Sequence, residues 1–174
     1  MSYTVQEYPI LQPLSRIDRH DQLPAGTTEL GSFLDNRPDS RERWYVLAKH
    51  EGHLSVLISY HSGPHDQYYC KQYDFPLKAL SWFPRALEEF RKPPVEGGLH
   101  AGAMISKDID VDGEVLAVGS TTDGYFLINW SRNQQDPVSD YDPARISLHW
   151  DFLYKLGFLD LWKKLGEKYE RGEI

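Results

Sequence analysis

The chain has 174 residues, a net charge of −7 and one cysteine. That is the size of one ordinary domain able to bury a core without staples, and a lone Cys70 excludes an intramolecular disulfide. The longest apolar runs, such as Tyr125 to Ile128, fall far short of the ~20 residues needed to span a bilayer. Met1 to Ile10 has neither the basic nor the apolar region of a secretory signal, so a reducing cytoplasm is the expected home.

Residues 1–40 carry Pro9, Pro13, Pro24, Gly26, Gly31 and Pro38 without a sustained period. They read as an irregular arm with a short strand at Tyr3 to Tyr8, packed through Ile10, Leu11, Leu14 and Ile17. From 41 to 174 the texture is that of a single α+β domain with two pseudo-repeats, about 41–95 and 99–174. Trp44 to His50 and His53 to His61 are strand-like and joined by Glu51-Gly52, a hairpin dipeptide. In the second of these strands Leu54, Val56, Ile58 and Tyr60 share one face, with Ser55, Leu57 and Ser59 on the other. Ser62-Gly63-Pro64 turns the chain into a third strand, Gln67 to Phe75.

A helix follows, with Ser81 as N-cap and Arg91 near its end. Leu80, Phe83, Leu87 and Phe90 form its apolar face, and Pro84 falls in its first turn. Gly97 to Gly102 reads as a linker. Strands return at Ala101 to Lys107, Glu114 to Gly119 and Tyr125 to Arg132, with turns at Asp112-Gly113 and Asp123-Gly124. Arg145 to Leu148 fits either a last short strand or part of a helix. The final segment is amphipathic through Leu153, Leu156, Leu161 and Leu165 and breaks near Gly157.

Two stretches 68 positions apart echo one another. Tyr73-Asp74 precedes Leu80, Trp82 and Phe90, as Tyr141-Asp142 precedes Leu148, Trp150 and Phe158. The expected fold class is therefore α+β: an antiparallel sheet built from two related strand-meander-plus-helix halves, with the helices packed on one face.

Charge is uneven. Between Arg37 and Lys92 the balance is +2, and the remainder of the chain carries −9. Aromatic and basic residues interleave on the strands, with Tyr45 and Lys49 on one face of the first strand and Tyr69, Lys71 and Tyr73 on one face of the third. Trp130 and Arg132 share one face of a later strand. Rings that stack on unpaired bases, flanked by cations that follow phosphates, are what a single-stranded nucleic-acid platform requires. Packing alone also places aromatic residues on strands, so the same pattern fits a plain core.

Other motifs are weaker. His50, His53, His61 and His65 crowd the first meander and could recruit a transition metal, although their spacing matches no zinc signature. Asp108 to Gly113 opens like an EF-hand loop, but its twelfth position is Gly119 where a bidentate Glu is required, which favours an acidic hairpin turn. No Gly-x-Ser-x-Gly elbow exists, and Cys70 beside Tyr68 reads as a small core residue.

Trp44 to Phe75 leading into residues 81–90, and Tyr125 to Arg132 leading into residues 146–150, resemble in layout the PC4, Pur-alpha and Whirly group of single-stranded DNA or RNA binders. The resemblance implies two meanders each closed by a helix, with helices covering one sheet face and nucleic acid on the other. The acidic balance and the sparse basic clusters depart from that group. The leading expectation is a non-catalytic single-strand binder with no cofactor and no metal, using Tyr45, Lys49, Tyr69, Lys71, Tyr73, Trp130 and Arg132. Rivals are an acidic interaction or inhibitor module of phage or immunity type facing a basic protein partner, and a small metal-dependent enzyme using the meander histidines. A homodimer is compatible with each, and no membrane partner is expected.

Overall fold

The computed structural model of the chain describes residues 5–38, 41–98 and 104–174. The chain runs β1 (Thr28–Asp35), β2 (Arg43–His50), β3 (His53–Ser62), β4 (Gln67–Pro76) and α1 (Ala79–Arg91). A second series follows: β5 (Ile105–Val111), β6 (Glu114–Ser120), β7 (Gly124–Asn133), β8 (Pro143–His149) and α2 (Phe158–Glu170). Each half is a four-stranded antiparallel meander, in the orders β1-β2-β3-β4 and β5-β6-β7-β8. The fold is α+β, and the two halves share a topology.

The turn chemistry explains the hairpins. Glu51-Gly52 and Asp112-Gly113 have φ of 49° and 77°, and 50° and 84°, the paired left-handed conformation that a two-residue hairpin loop demands and that glycine adopts freely. Gly157, at φ 92°, separates α2 from a π-helical turn at Asp151–Lys155. The expected break there is present, and Arg145 to Leu148 belongs to β8.

One core serves both halves. Leu54, Val56, Ile58 and Phe75 of the first sheet, Leu116, Val118, Leu127 and Ile146 of the second, and Leu80, Phe83, Leu87, Trp162 and Leu165 of the helices are buried in one cluster, with Phe90 packed against it. The residues expected to form the seam between the first sheet and α1 all lie in or against this cluster, but α1 packs on β5 and β6 of the second sheet and α2 on β1 of the first. Phe83 and Trp162 meet edge to face at 5.0 Å, and the Trp162 indole donates to the Ala79 carbonyl at 3.0 Å.

α1 begins at Ala79, two residues before the anticipated cap at Ser81, and its first residue follows Lys78 without a side-chain cap. Pro84 is thus the sixth helical residue and removes the N–H that would bond the Leu80 carbonyl. That carbonyl faces α2 at Gly166, where a Cβ would collide with it. The missing donor and the missing side chain let the two helices come close.

Three expectations are corrected. The irregular arm ends at Thr27, not at residue 40, because Thr28–Asp35 is a strand paired with β2. The 68-residue echo is not the structural repeat. β2 and β6 begin at Arg43 and Glu114, 71 positions apart, and the helices begin at Ala79 and Phe158, 79 apart. Trp82 lies inside α1 and donates to Asp108 at 3.0 Å, whereas Trp150 stands before the π-helical turn, exposed. Finally, Val5 to Tyr8 forms no strand, the rest of Tyr3 to Tyr8 lying outside the described residues, as do the first three residues of the strand expected from Ala101.

The helix contact yields a prediction. An exposed helical Gly→Ala change ordinarily stabilises by about 1 kcal/mol. Gly166→Ala should instead destabilise by about 1–3 kcal/mol through overpacking against the Leu80 carbonyl, read as a lower urea midpoint. A stabilised variant would mean the helices do not approach there.

Candidate nucleic-acid interface

Alternation on β3 dictates what each face of the first sheet can do. Leu54, Val56 and Ile58 enter the shared core, so Ser55, Leu57 and Ser59 face the other way. That second face is covered by the N-terminal arm. Ile17 is buried against Val46 and Leu57, its N–H donates to Gln72 Oε1 at 2.8 Å, and the Ser15 carbonyl accepts from His50 Nε2 at 2.8 Å. The arm also crosses to the second sheet, where Leu11 N–H donates to the Ser131 carbonyl at 2.8 Å and Arg132 donates to the Gln12 carbonyl at 2.7 Å.

Beneath the arm a buried polar seam joins the sheets. Asp74 accepts from Ser55 at 2.6 Å, Gln72 at 3.0 Å and Gln135 at 3.2 Å. Glu114 accepts from Arg132 Nε at 2.6 Å and from Asn129 at 3.0 Å, and the same Asn129 amide donates to the Asp74 carbonyl at 3.0 Å. His53 Nε2 lies 3.4 Å from the second Glu114 oxygen and 3.0 Å from Arg132. Both oxygens of Asp74 and Oε1 of Glu114 accept hydrogen bonds, which suits a structural joint.

At one end of the first sheet the arm leaves the surface open. The start of β2, the end of β3, the start of β4 and residues 19–21 of the arm surround a groove of about 820 Å³. His20 stacks beside Trp44 at 6.1 Å and Tyr68 at 6.0 Å, and its Nδ1 lies 2.7 Å from Ser59 Oγ and 2.8 Å from Tyr68 Oη. Arg19 lies over the Tyr68 ring at 4.2 Å and holds Asp21 at 2.9 Å. Arg41 bonds Ser62 at the rim. On the opposite face of the same end, Tyr60 and Tyr69 stack at 5.4 Å, with Arg43 5.3 Å and Lys71 6.0 Å from the Tyr60 ring. Trp44 is 38% exposed and Tyr69 40%. With Asp21 neutralised, Arg41, Arg43 and Lys71 outnumber Glu42 and Asp66 here, a mild positive excess on an acidic protein. Burial lowers the His20 pKa and raises that of Tyr68.

The residues expected from sequence divide. Tyr45, Lys49, Tyr69, Lys71 and Tyr73 do share one face, as alternation requires, but it is the core face. Tyr45 is 3% exposed and Tyr73 8%, so their rings cannot stack on bases, and burial raises both phenol pKa values. Lys49 sits at the opposite end of that face from Tyr69 and Lys71. Trp130 and Arg132 lie in the second sheet, where Trp130 stacks with Tyr141 at 6.5 Å and Arg132 is buried in its pair with Glu114. Trp44, Tyr60, Tyr68, Arg19, His20 and Arg41 were not singled out. Periodicity does not reveal the arm's path, so it cannot tell which part of the first sheet stays open.

The meander histidines do not converge. His53 pairs with His50, and His61, at the other end of the same strand, pairs with Tyr68. No group of three or more metal-ligating side chains occurs among the described residues. Cys70 packs beside Ile17, where burial raises its thiol pKa, and Asp108 to Gly113 forms a hairpin turn with Asp110 capping the Gly113 N–H at 2.8 Å. No helix among the described residues is long and apolar enough to cross a membrane. Among known proteins no family model, curated protein or solved structure matches the chain.

Two outcomes follow. Arg132→Ala leaves Glu114 buried without its cation and should destabilise by about 3–5 kcal/mol in denaturant titration, and a loss under about 1 kcal/mol would contradict the seam. His20 favours its neutral form in the folded state. Its contribution to arm docking is complete above the unfolded pKa of about 6.5 and is lost as pH falls through the lower folded value. Hydrogen-exchange protection of the Ile17 and His20 amides, corrected for intrinsic rates, should drop between pH 7.5 and 5 and become less pH-dependent in His20→Asn. Unchanged wild-type protection would refute this.

Proposed function

We propose that the chain is a non-catalytic binder of single-stranded DNA or RNA, and that the strand lies across the open end of the first sheet. One observation carries the reading: Trp44, Tyr60 and Tyr68 line an open groove with Arg19 and Arg41, and Tyr69, Arg43 and Lys71 gather round Tyr60 on the other face of the same sheet end. Stacking on rings is worth about 1–3 kcal/mol per base and tolerates any sequence, while cations beside the rings follow the backbone. The engaged carboxylates of the seam and the scattered histidines give no competing reaction centre. The twofold meander-plus-helix layout supports the same reading through its resemblance to the PC4, Pur-alpha and Whirly group. A second reading, an acidic module facing a basic protein, rests on edge strand β5, which exposes Asp108, Ile109 and Asp110.

Fluorescence anisotropy with a labelled oligothymidylate at two salt concentrations tests the reading. Trp44→Ala should weaken binding about 5- to 100-fold with little change in salt slope. Arg41→Ala should weaken it and lower the slope by about 0.7, one single-strand phosphate. If the wild type shows no affinity for single strands near 50 mM salt, the nucleic-acid reading fails and the β5 surface becomes the better account.

A further inference from the structure

β4 is an edge strand of the first sheet, and a second, smaller cavity of about 290 Å³ lies against it. Residues 70–73 of β4, Arg16 and Ile17 of the arm, and the loop between β7 and β8 line it. Nearly every polar group there is already engaged. Gln72 accepts from Ile17 and donates to Asp74, and Gln135 donates to the Leu14 carbonyl at 3.1 Å. Asp136 holds Arg16 at 2.8 Å, and Asp142 accepts from Gln134 at 3.0 Å and from the Val138 N–H at 3.1 Å.

Two donors remain. Among the described residues the Lys71 ammonium has no ion pair and the Tyr73 hydroxyl no hydrogen bond. They stand two positions apart on one strand and so on one face, side by side at the cavity. Both lining carboxylates, Asp136 and Asp142, already hold internal donors, so the cation and the O–H are left for a ligand. Burial raises the Tyr73 pKa, which keeps the phenol a donor.

We propose that Lys71 and Tyr73 form a seat for a phosphoryl group, and that in the assembled complex it takes a backbone phosphate of the strand lying in the larger groove. The second clause rests on the proposed function; the first does not. Continuity supports it. Lys71 stands 6.0 Å from the ring of Tyr60, which lines the larger groove, and the arm lines the small cavity with Arg16 and Ile17 and the large one with Arg19 and His20. Tyr73 thereby acts through its hydroxyl while its ring stays in the core.

The test has two arms. Inorganic phosphate is titrated into the intact protein and backbone amide shifts are followed. Saturable shifts should cluster at residues 70–73 and 134–138 and vanish in Lys71→Ala and in Tyr73→Phe, which keeps the buried ring. In the second arm, single neutral methylphosphonate linkages are moved along an oligothymidylate. One linkage should weaken wild-type binding about tenfold, the size of a charged hydrogen bond, and have no further effect on Lys71→Ala. Clustered phosphate shifts without affinity for any strand would keep the seat, assign it to free phosphate and refute the strand reading. Absent phosphate shifts, with every linkage acting alike on wild type and Lys71→Ala, would overturn the seat even if strands bind well.

Discussion

The close crossing of α1 and α2 is the contact on which the rest of the molecule depends. A proline inside a helix normally weakens it by freeing a carbonyl, and a glycine inside a helix weakens it by backbone entropy. Here the two defects face one another. The Leu80 carbonyl freed by Pro84 lies where Gly166 has no side chain, and Phe83 and Trp162 close the crossing beside it. Because each helix follows a different meander, this contact joins the halves, and the cluster that grows around it takes one face of each sheet.

That partition decides where a ligand can sit. With the core face of the first sheet sealed, the opposite face is divided between the arm, which Ile17 and the Gln72 and His50 bonds hold down, and the strand ends beyond it. The polar seam of Asp74, Asn129, Glu114 and Arg132 fixes the second sheet and the arm together, so the groove has walls that do not depend on a ligand. An acidic protein can then carry a locally basic, ring-lined surface. Its charge is spent mainly elsewhere, including the exposed aspartates of β5.

Much of the fold was legible because its signals are local. Glu51-Gly52 and Asp112-Gly113 mark hairpins through the conformation they need, the alternation of β3 marks a strand although the arm buries its second face as well, and Gly157 marks a break. β1 was not legible. Its sequence TELGSFLD lacks a clean alternation, and pairing with β2 shifts register between Glu29 and Gly31, where Gly31 packs against Leu161 of α2. Of the site, alternation correctly placed Tyr45, Tyr69, Lys71 and Tyr73 on one face, but period two says only which residues share a face and not which face the helices cover. Trp44 and Tyr68 therefore lay on the side that sequence could not assign. The 68-residue echo misled for a similar reason: it matched aromatic spacing, whereas Tyr73-Asp74 lies in β4 and Tyr141-Asp142 in the connection before β8.

In the proposed complex the bases of the strand lie at the open end of the first sheet. Photocrosslinking of an oligonucleotide carrying 5-iodouracil, followed by peptide mass spectrometry, tests it most directly, because it reports which rings bases touch. Crosslinks are predicted at Trp44, Tyr68 or Tyr69, with none at buried Tyr45 or at Trp130 and Trp150 of the second half. Crosslinks confined to Trp130 or Trp150 would contradict the account.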